Sequence, residues 1–164
     1  MSKHKRIYFN NAVYHICIRG NNRQRVIGAD DDKIIFLMTL NKFRLRFKFK
    51  LYAFVLMDNH IHLVIGTGSN ITISKIMQAI TLSYSQLFRR KYNYSGYVWQ
   101  GRFKSKIIDG DKYILECINY IHNNPLRSGM AESVSDYPYS SYHFYNSLRS
   151  PVSNYININL YGGI

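Results

Sequence analysis

The chain has 164 residues, of which 46% are hydrophobic, and this predicts a single globular domain over residues 1–164 and excludes a disordered tail. No apolar run reaches the roughly 18 residues that a membrane span needs, and the basic start lacks the apolar segment of a signal peptide. Lysine and arginine number 22 against 9 acidic residues, and the resulting net charge of +13 indicates a polyanionic partner, above all nucleic acid. Both cysteines, Cys17 and Cys117, lie in apolar segments, so we expect buried free thiols in a cytoplasmic protein.

The first half of the chain predicts a strand, a helix and a β-hairpin. Residues 12–19 alternate as in a strand, and a Gly-Asn-Asn turn follows them. Residues 31–46 predict a helix because acidic residues cluster at its start, where they stabilise the helix dipole. Its second half alternates basic and apolar residues, which is also typical of a strand. Residues 49–57 and 60–66 flank an Asp-Asn turn and predict the hairpin.

The second half predicts a long helix, a strand and a shorter helix. Apolar residues recur at helical spacing through residues 70–93. A loop rich in Gly, Tyr and Trp separates this helix from residues 102–109, which alternate as a strand. The next helix is expected to begin near Asp111 and to end at Pro125, because proline interrupts the helical hydrogen bonds. Turns and a polar tail follow it.

The order of these elements, β-α-β-β-α-β followed by a helix, predicts an α+β fold. It matches the ferredoxin-like (RRM-like) arrangement, a four-stranded antiparallel sheet with two helices on one face. We expect the core to cover residues 8–125, the tail to cover residues 126–164, and the strand that begins at His60 to lie centrally.

Two histidines stand at the head of the second hairpin strand, in the sequence DNHIHLVI. Strand side chains alternate between faces, so His60 and His62 point the same way, about 7 Å apart along the strand. At that spacing two imidazoles can bind one metal ion. The alternative is a pair of ordinary histidines that form hydrogen bonds near a strand end. The turn before them places the pair at a margin of the sheet that a substrate can reach.

The last helix carries a tyrosine and an asparagine four residues apart, Tyr120 and Asn124. Helical spacing places both of them, with Tyr113, at the rim of an apolar stripe, where a side chain can face a cleft. The stripe consists of Ile114, Cys117, Ile118 and Ile121. The alternatives are a half-buried packing role for Tyr120 and a helix-ending role for Asn124.

The chain resembles the single-tyrosine transposases of the HUH superfamily in three segments, VLMDNHIHLVI, VWQGRFKSKIIDGDKYILECINYIHNNPLRSGM and DYPYSSY. The similarity runs from residue 14 to residue 142. It rests on the ordered set His-x-His, Trp-Gln-x-Arg-Phe and Tyr-x-x-x-Asn-Pro. The most similar branch is the one associated with repetitive extragenic palindromes (REP), together with its insertion-sequence relatives. Insertion-sequence members usually carry Gln at the position of Asn124. The palindrome-associated branch carries Asn there, as this chain does.

The resemblance implies a metal-dependent enzyme that cleaves and rejoins single-stranded DNA near hairpins. His60 and His62 would hold a divalent cation, Mg²⁺ or Mn²⁺, and Asn124 would add a neutral oxygen. Tyr120 would attack a DNA phosphate and form a 5′-phosphotyrosine with a free 3′-OH. Phosphoryl transfer needs positioning and charge neutralisation, which a metal supplies, and a covalent intermediate keeps the reaction reversible. The enzyme would act as a monomer or a homodimer.

Basic, amide and aromatic residues flank this set and are expected to hold DNA. Guanidinium and amide groups read base edges, arginine also binds phosphates, and tryptophan stacks on unpaired bases. The candidates are Arg19, Asn21, Asn22, Arg23 and Arg25 after the first strand, and Trp99, Gln100, Arg102 and Lys104 around the start of the last strand. The alternative for Trp99 and Phe103 is a place in the core.

Two other functions fit parts of the pattern. An RRM-like module that binds single-stranded nucleic acid without catalysis has the same topology, and it predicts exposed aromatic residues on the sheet and no metal. Replication initiators and conjugative relaxases use the same His-x-His chemistry, but they usually belong to longer chains. The histidine pair argues against the first alternative and the length of 164 residues against the second.

Overall fold

A four-stranded antiparallel sheet organises the protein. In the computed structural model, which describes residues 8–162, its strands are β1 (Val13–Arg19), β2 (Lys50–Leu56), β3 (His60–Gly66) and β4 (Lys104–Ile108). Their order is β2-β3-β1-β4, and every neighbouring pair is antiparallel. This is the predicted ferredoxin-like topology, with β3 in the centre.

Two helices cover one face of the sheet, which we call the apolar face. They are α1 (Asp30–Phe47) and α2 (Ile73–Tyr92), and they pack against each other as well as on the strands. In β3 the side chains of Ile61, Leu63 and Ile65 point into this core and are fully buried. Because strand side chains alternate, the intervening residues of β3 point to the opposite face.

A third helix, α3 (Asp111–His122), packs on the opposite face. Its residues Ile114, Ile118 and Ile121 form a second, smaller core with residues of β2 and β3 such as Val64. The helix contacts β2 and β3, so it covers only part of this face. Consequently, the surface beside β4 stays open.

The predicted end of the last helix is wrong. The helix α3 ends at His122, and Asn123 leads directly into a short helix, α4 (Asn124–Arg127). Pro125 therefore lies in the first turn of α4, where its missing N–H has no helical partner to lose. The chain turns at this point, and α4 stays close to α3.

The segment expected to be a polar tail is instead part of the core. Ser141 donates its backbone N–H to the Phe54 carbonyl at 2.9 Å, so this segment pairs with the outer edge of β2. The helix α5 (Tyr142–Tyr145) follows. Farther along, Val152 and Ile156 are buried at 2% exposure in the core beneath α1 and α2. An unpaired strand edge promotes aggregation, and this segment covers it.

Within residues 8–162, no helix combines the length and apolar content that crossing a membrane requires.

Both cysteines, Cys17 and Cys117, are free, as predicted, but they are half-buried. Burial raises the pKa of Cys117 to about 11, which keeps this thiol protonated and poorly reactive at neutral pH.

Candidate active site

Three histidines meet on the face of the sheet opposite α1 and α2, here called the histidine face. His60 and His62 begin β3 and point the same way, as predicted, with ring centroids 5.2 Å apart. His15 comes from the neighbouring strand β1 and stacks on His62 at 5.1 Å. A hydrogen bond of 2.9 Å joins His15 Nε2 to His62 Nδ1. The antiparallel pairing of β1 with β3 therefore extends the predicted pair to a cluster of three.

The surroundings of the three imidazoles favour their neutral form. Burial, together with smaller contributions from the neighbouring His15 and His60 rings, lowers the pKa of His62 to about 3. Burial is also the main cause of the lowered pKa values of His15 and His60, assisted by Lys106 and Arg19 respectively. A metal ion binds the deprotonated imidazole nitrogen, so this environment favours metal binding at neutral pH.

Tyr120 lies beside this cluster on α3. Its ring is 6.3 Å from that of His62 and 6.2 Å from that of His15, and its side chain is 46% exposed. The guanidinium of Arg127, in α4, stacks on the Tyr120 ring at 4.1 Å and donates to the Tyr120 backbone carbonyl at 3.1 Å. This cation–π contact fixes the ring while leaving it accessible.

Asn124 lies one helical turn beyond Tyr120 and donates from Nδ2 to the Tyr120 carbonyl at 3.2 Å. Among the described residues, no three His, Cys, Asp or Glu side chains are arranged to hold a metal. A cation at this site would therefore depend on the neutral imidazoles of His60 and His62 together with oxygens from amides, water or substrate. Oxygen ligands suit both ions, and imidazole tolerates Mn²⁺ better than Mg²⁺, so the donor set fits Mn²⁺ better than Mg²⁺.

The turn before His60 is anchored by an ion-pair network. Asp58 binds Arg25 Nη2 at 2.7 Å and Lys33 Nζ at 2.9 Å, and the Lys33 side chain is only 4% exposed. The backbone N–H of Gly20 donates to the Asn59 carbonyl at 2.8 Å. These contacts fix the strand start that carries the histidine pair.

Four of the predicted DNA-binding residues come together near the site. Arg19, Gln100, Arg102 and Lys104 line a small groove of about 140 Å³ beside β1 and β4. Arg19 is opposite His60 in the β1–β3 register, so the basic groove borders the histidine cluster. On the other side, between α3 and β4, a larger groove of about 660 Å³ is lined by residues that include His15, Lys106 and Tyr120.

The remaining predicted DNA-binding residues fall into two groups. A short turn directly after β1 holds the first group, in which Asn22 and Arg23 are exposed and Asn21 is half-buried. The second group is Arg25, which is exposed but already paired with Asp58.

The expectation that Trp99 stacks on a base is wrong. This side chain is only 9% exposed, packs on Phe36 and Tyr84, and donates from Nε1 to the Thr81 carbonyl at 3.3 Å. Phe103 is buried as well. Trp99 is therefore a core residue at the margin of the apolar face.

Sequence reasoning missed His15 and Arg127. A signal for His15 was present, because the alternation of β1 places it on the same face as Cys17 and Arg19, opposite the apolar face. Its contact with His62 depends on the pairing of β1 with β3, which alternation does not report. We found no sequence signal for Arg127, because its position over Tyr120 depends on the turn at Asn123.

Comparisons with known proteins identify the family of this chain. The family model for IS200-like transposases matches residues 8–124. A Haemophilus influenzae protein assigned as a REP-associated tyrosine transposase is 29% identical over 161 residues, which cover 87% of this chain and 86% of that protein. The REP-associated tyrosine transposase of Escherichia coli is 23% identical over 145 residues, covering 87% and 84%.

The fold also has a solved counterpart. A REP-associated tyrosine transposase bound to a REP hairpin superposes with a TM-score of 0.73 at 20% identity, covering 100% of this chain and 99% of that one. This likeness supports the fold, and the family model, which spans more than half of the chain, supports the family. This chain therefore belongs to the IS200-like transposase family.

Proposed function

We propose that this transposase cleaves and rejoins single-stranded DNA beside hairpins, with Tyr120 as the nucleophile. The observation that carries the proposal is the position of Tyr120, exposed on α3 with its ring 6.3 Å from His62. A reactive hydroxyl must be accessible and must lie beside groups that can neutralise phosphate charge. Tyr120 is accessible, and the guanidinium of Arg127 brings a positive charge to 4.1 Å from its ring.

His60 and His62 would hold a divalent cation through their neutral imidazoles, and Asn124 would supply an amide oxygen. When bound, the cation neutralises negative charge on the phosphate and favours ionisation of a nearby hydroxyl. Arg127 keeps the Tyr120 ring in place through its stacking contact at 4.1 Å, so the nucleophile does not need to be ordered when the DNA arrives.

The reaction conserves the phosphodiester. The Tyr120 hydroxyl oxygen loses its proton and forms a bond to phosphorus, while the bond from phosphorus to the 3′ oxygen breaks. The 3′ oxygen takes up a proton and leaves as a 3′-OH, and the 5′ side stays attached as a 5′-phosphotyrosine. A 3′-OH can then attack this ester and release Tyr120, which rejoins the strands without an external energy source.

The shape and charge of the site support the proposed preference for single strands. The histidine face has one basic groove lined by Arg19, Arg102 and Lys104 and one larger open groove next to Tyr120. Extended strands enter shallow grooves more easily than a duplex does, and unstacking a paired base costs a few kcal/mol. The relative solved with a REP hairpin supports a hairpin as the neighbouring element.

The non-catalytic RRM-like module is not favoured. It requires aromatic rings exposed on the open sheet face, whereas the open part of the histidine face carries the side chains of His15, Lys104 and Lys106 on β1 and β4. Imidazoles and amines suit phosphate chemistry better than base stacking.

The test is the Tyr120→Phe protein, incubated with a labelled oligonucleotide that carries a hairpin and a single-stranded flank. The wild type should form a covalent protein–DNA adduct on denaturing gels, and Tyr120→Phe should form none while still binding DNA, because only the nucleophilic oxygen is removed. Tyr113→Phe, on the same helix, is the matched control and should retain the adduct. An undiminished adduct from Tyr120→Phe would refute the proposal.

A further inference from the structure

Both imidazoles of the His-x-His motif form a hydrogen bond through the same ring atom. His60 Nδ1 lies 2.7 Å from Asn59 Oδ1, and His62 Nδ1 lies 2.9 Å from His15 Nε2. In each ring this leaves Nε2 as the nitrogen available to another ligand. The two partners come from different elements, one from the preceding turn and one from β1.

The partner of His60 determines where its proton lies. An amide oxygen only accepts hydrogen bonds, so a neutral His60 must carry its proton on Nδ1 and keep the lone pair on Nε2. The orientation of the amide is consistent with this, because Asn59 Nδ2 faces the Arg23 carbonyl oxygen at 3.5 Å.

The pair of His15 and His62 needs one donor and one acceptor. If His62 donates from Nδ1, its Nε2 lone pair is free, and His15 accepts on Nε2. If His15 donates instead, the proton of His62 lies on Nε2 and blocks that atom as a metal ligand. Only the first arrangement is compatible with metal binding through His62 Nε2.

His15 is better placed to support His62 than to act as a third ligand. Its Nε2 is already engaged by His62 Nδ1, and within residues 8–162 no three His, Cys, Asp or Glu side chains form a metal-binding group. A ligand histidine usually donates its other ring N–H to a fixed acceptor, which sets the tautomer and the orientation of the ring.

We propose that Asn59 and His15 are positioning residues that keep the protons of His60 and His62 on Nδ1, so that both Nε2 lone pairs are available to a cation. The inference rests on the proposed function, because it assigns the cation to these two histidines. It adds to that function two residues that orient the histidine rings before metal or DNA binds.

The first test is the ¹⁵N NMR spectrum of the histidine rings in the metal-free wild-type protein. His60 and His62 should both show the tautomer with hydrogen on Nδ1. His15→Phe should shift His62 alone toward the Nε2–H tautomer, and Asn59→Ala should shift His60 alone. The wild-type spectrum needs no substitution, so it tests the proposal even if a variant fails to fold.

The second test is Mn²⁺ affinity, measured by calorimetry without DNA. His15→Phe and Asn59→Ala should each weaken binding about 10- to 100-fold, as the loss of a residue supporting a metal ligand usually does. His15→Gln and Asn59→Asp each retain an acceptor oxygen and should bind Mn²⁺ within a few-fold of the wild type.

Two outcomes would overturn the inference, and they differ from a failure of the proposed function. An Nε2–H tautomer at His60 or His62 in the metal-free wild type would refute the positioning role, even if Mn²⁺ binds. Unchanged tautomers and unchanged Mn²⁺ affinity in His15→Phe and Asn59→Ala would refute it as well. A wild-type protein that binds no Mn²⁺ would instead refute the metal-dependent function, and with it the purpose of the two hydrogen bonds.

Discussion

The two faces of the sheet differ in what covers them and in what they carry. On the apolar face, α1 and α2 bury side chains such as Leu63 completely. On the histidine face, α3 covers β2 and β3 and leaves a groove of about 660 Å³ beside β4. Since β3 contributes to both faces in alternation, one seven-residue strand supports the core and the site together. Substitutions on the apolar face should therefore change stability, and those in the open, polar part of the histidine face should change cleavage.

The sharpest test of this division is the double substitution His60→Ala with His62→Ala. Cleavage of the hairpin oligonucleotide should fall by more than about 100-fold, because even losing a residue that supports a metal ligand costs 10- to 100-fold. Thermal unfolding should show that the variant still folds cooperatively. The assay compares Mg²⁺, Mn²⁺ and EDTA, and wild-type cleavage that persists in EDTA would rule out the metal.

Trp99→Ala tests the apolar face. Because this indole is 9% exposed and packs on Phe36 and Tyr84, we expect the free energy of unfolding to fall by about 3–5 kcal/mol. Urea denaturation measures the change, and Tyr97→Ala, an exposed neighbour at 78%, should change it by less than about 0.5 kcal/mol. Unchanged stability with weakened DNA binding would restore the base-stacking role.

A substitution of His122 tests whether a buried histidine of α3 contributes to stability and not to catalysis. His122 is buried, hydrogen-bonded to Ser141 Oγ at 2.7 Å, and burial lowers its pKa to about 4, with a further contribution from His143. In the unfolded chain the His122 imidazole takes up a proton near pH 6.5, so above that pH its full contribution to the free energy of unfolding is present. It is lost as the pH falls from about 6.5 to about 4, by at most about 3 kcal/mol.

Urea denaturation at pH 7 and at pH 4.5 measures this effect. His122→Gln removes the titrating group, so it should lose less stability between the two pH values than the wild type does. Equal losses in the two proteins would assign the acid sensitivity to other groups, such as His62, whose pKa is lowered to about 3.

The smallest effect is expected at the basic groove. Arg102→Ala should weaken DNA binding moderately and reduce the slope of log affinity against log salt by about 1, because one phosphate contact is lost. Fluorescence anisotropy over a salt series measures both quantities. Lys42→Ala, on α1, removes the same charge away from the groove. An equal loss from both variants would show that net charge, and not the groove, holds the DNA.

Much of the local structure could be predicted from the sequence. The bounds of β3 match the prediction of residues 60–66, and the common orientation of His60 and His62 follows from strand alternation alone. The exposed position of Tyr120 at the rim of the α3 stripe follows from helical spacing. These features depend on the period of one element, which is encoded within a few consecutive residues.

The tertiary structure decided which elements meet. His15 reaches His62 only because β1 pairs with β3, and Arg127 reaches Tyr120 only because the chain turns at Asn123. The docking of residues after Tyr137 on β2 and the core was likewise missed, and the choice between a base-stacking and a core position for Trp99 was settled only by its burial. Periodicity tells which side of an element is apolar, but the partner of that side is set by packing between residues far apart in the chain. The histidine motif was therefore readable in the sequence, whereas the residues that orient it were visible only in the fold.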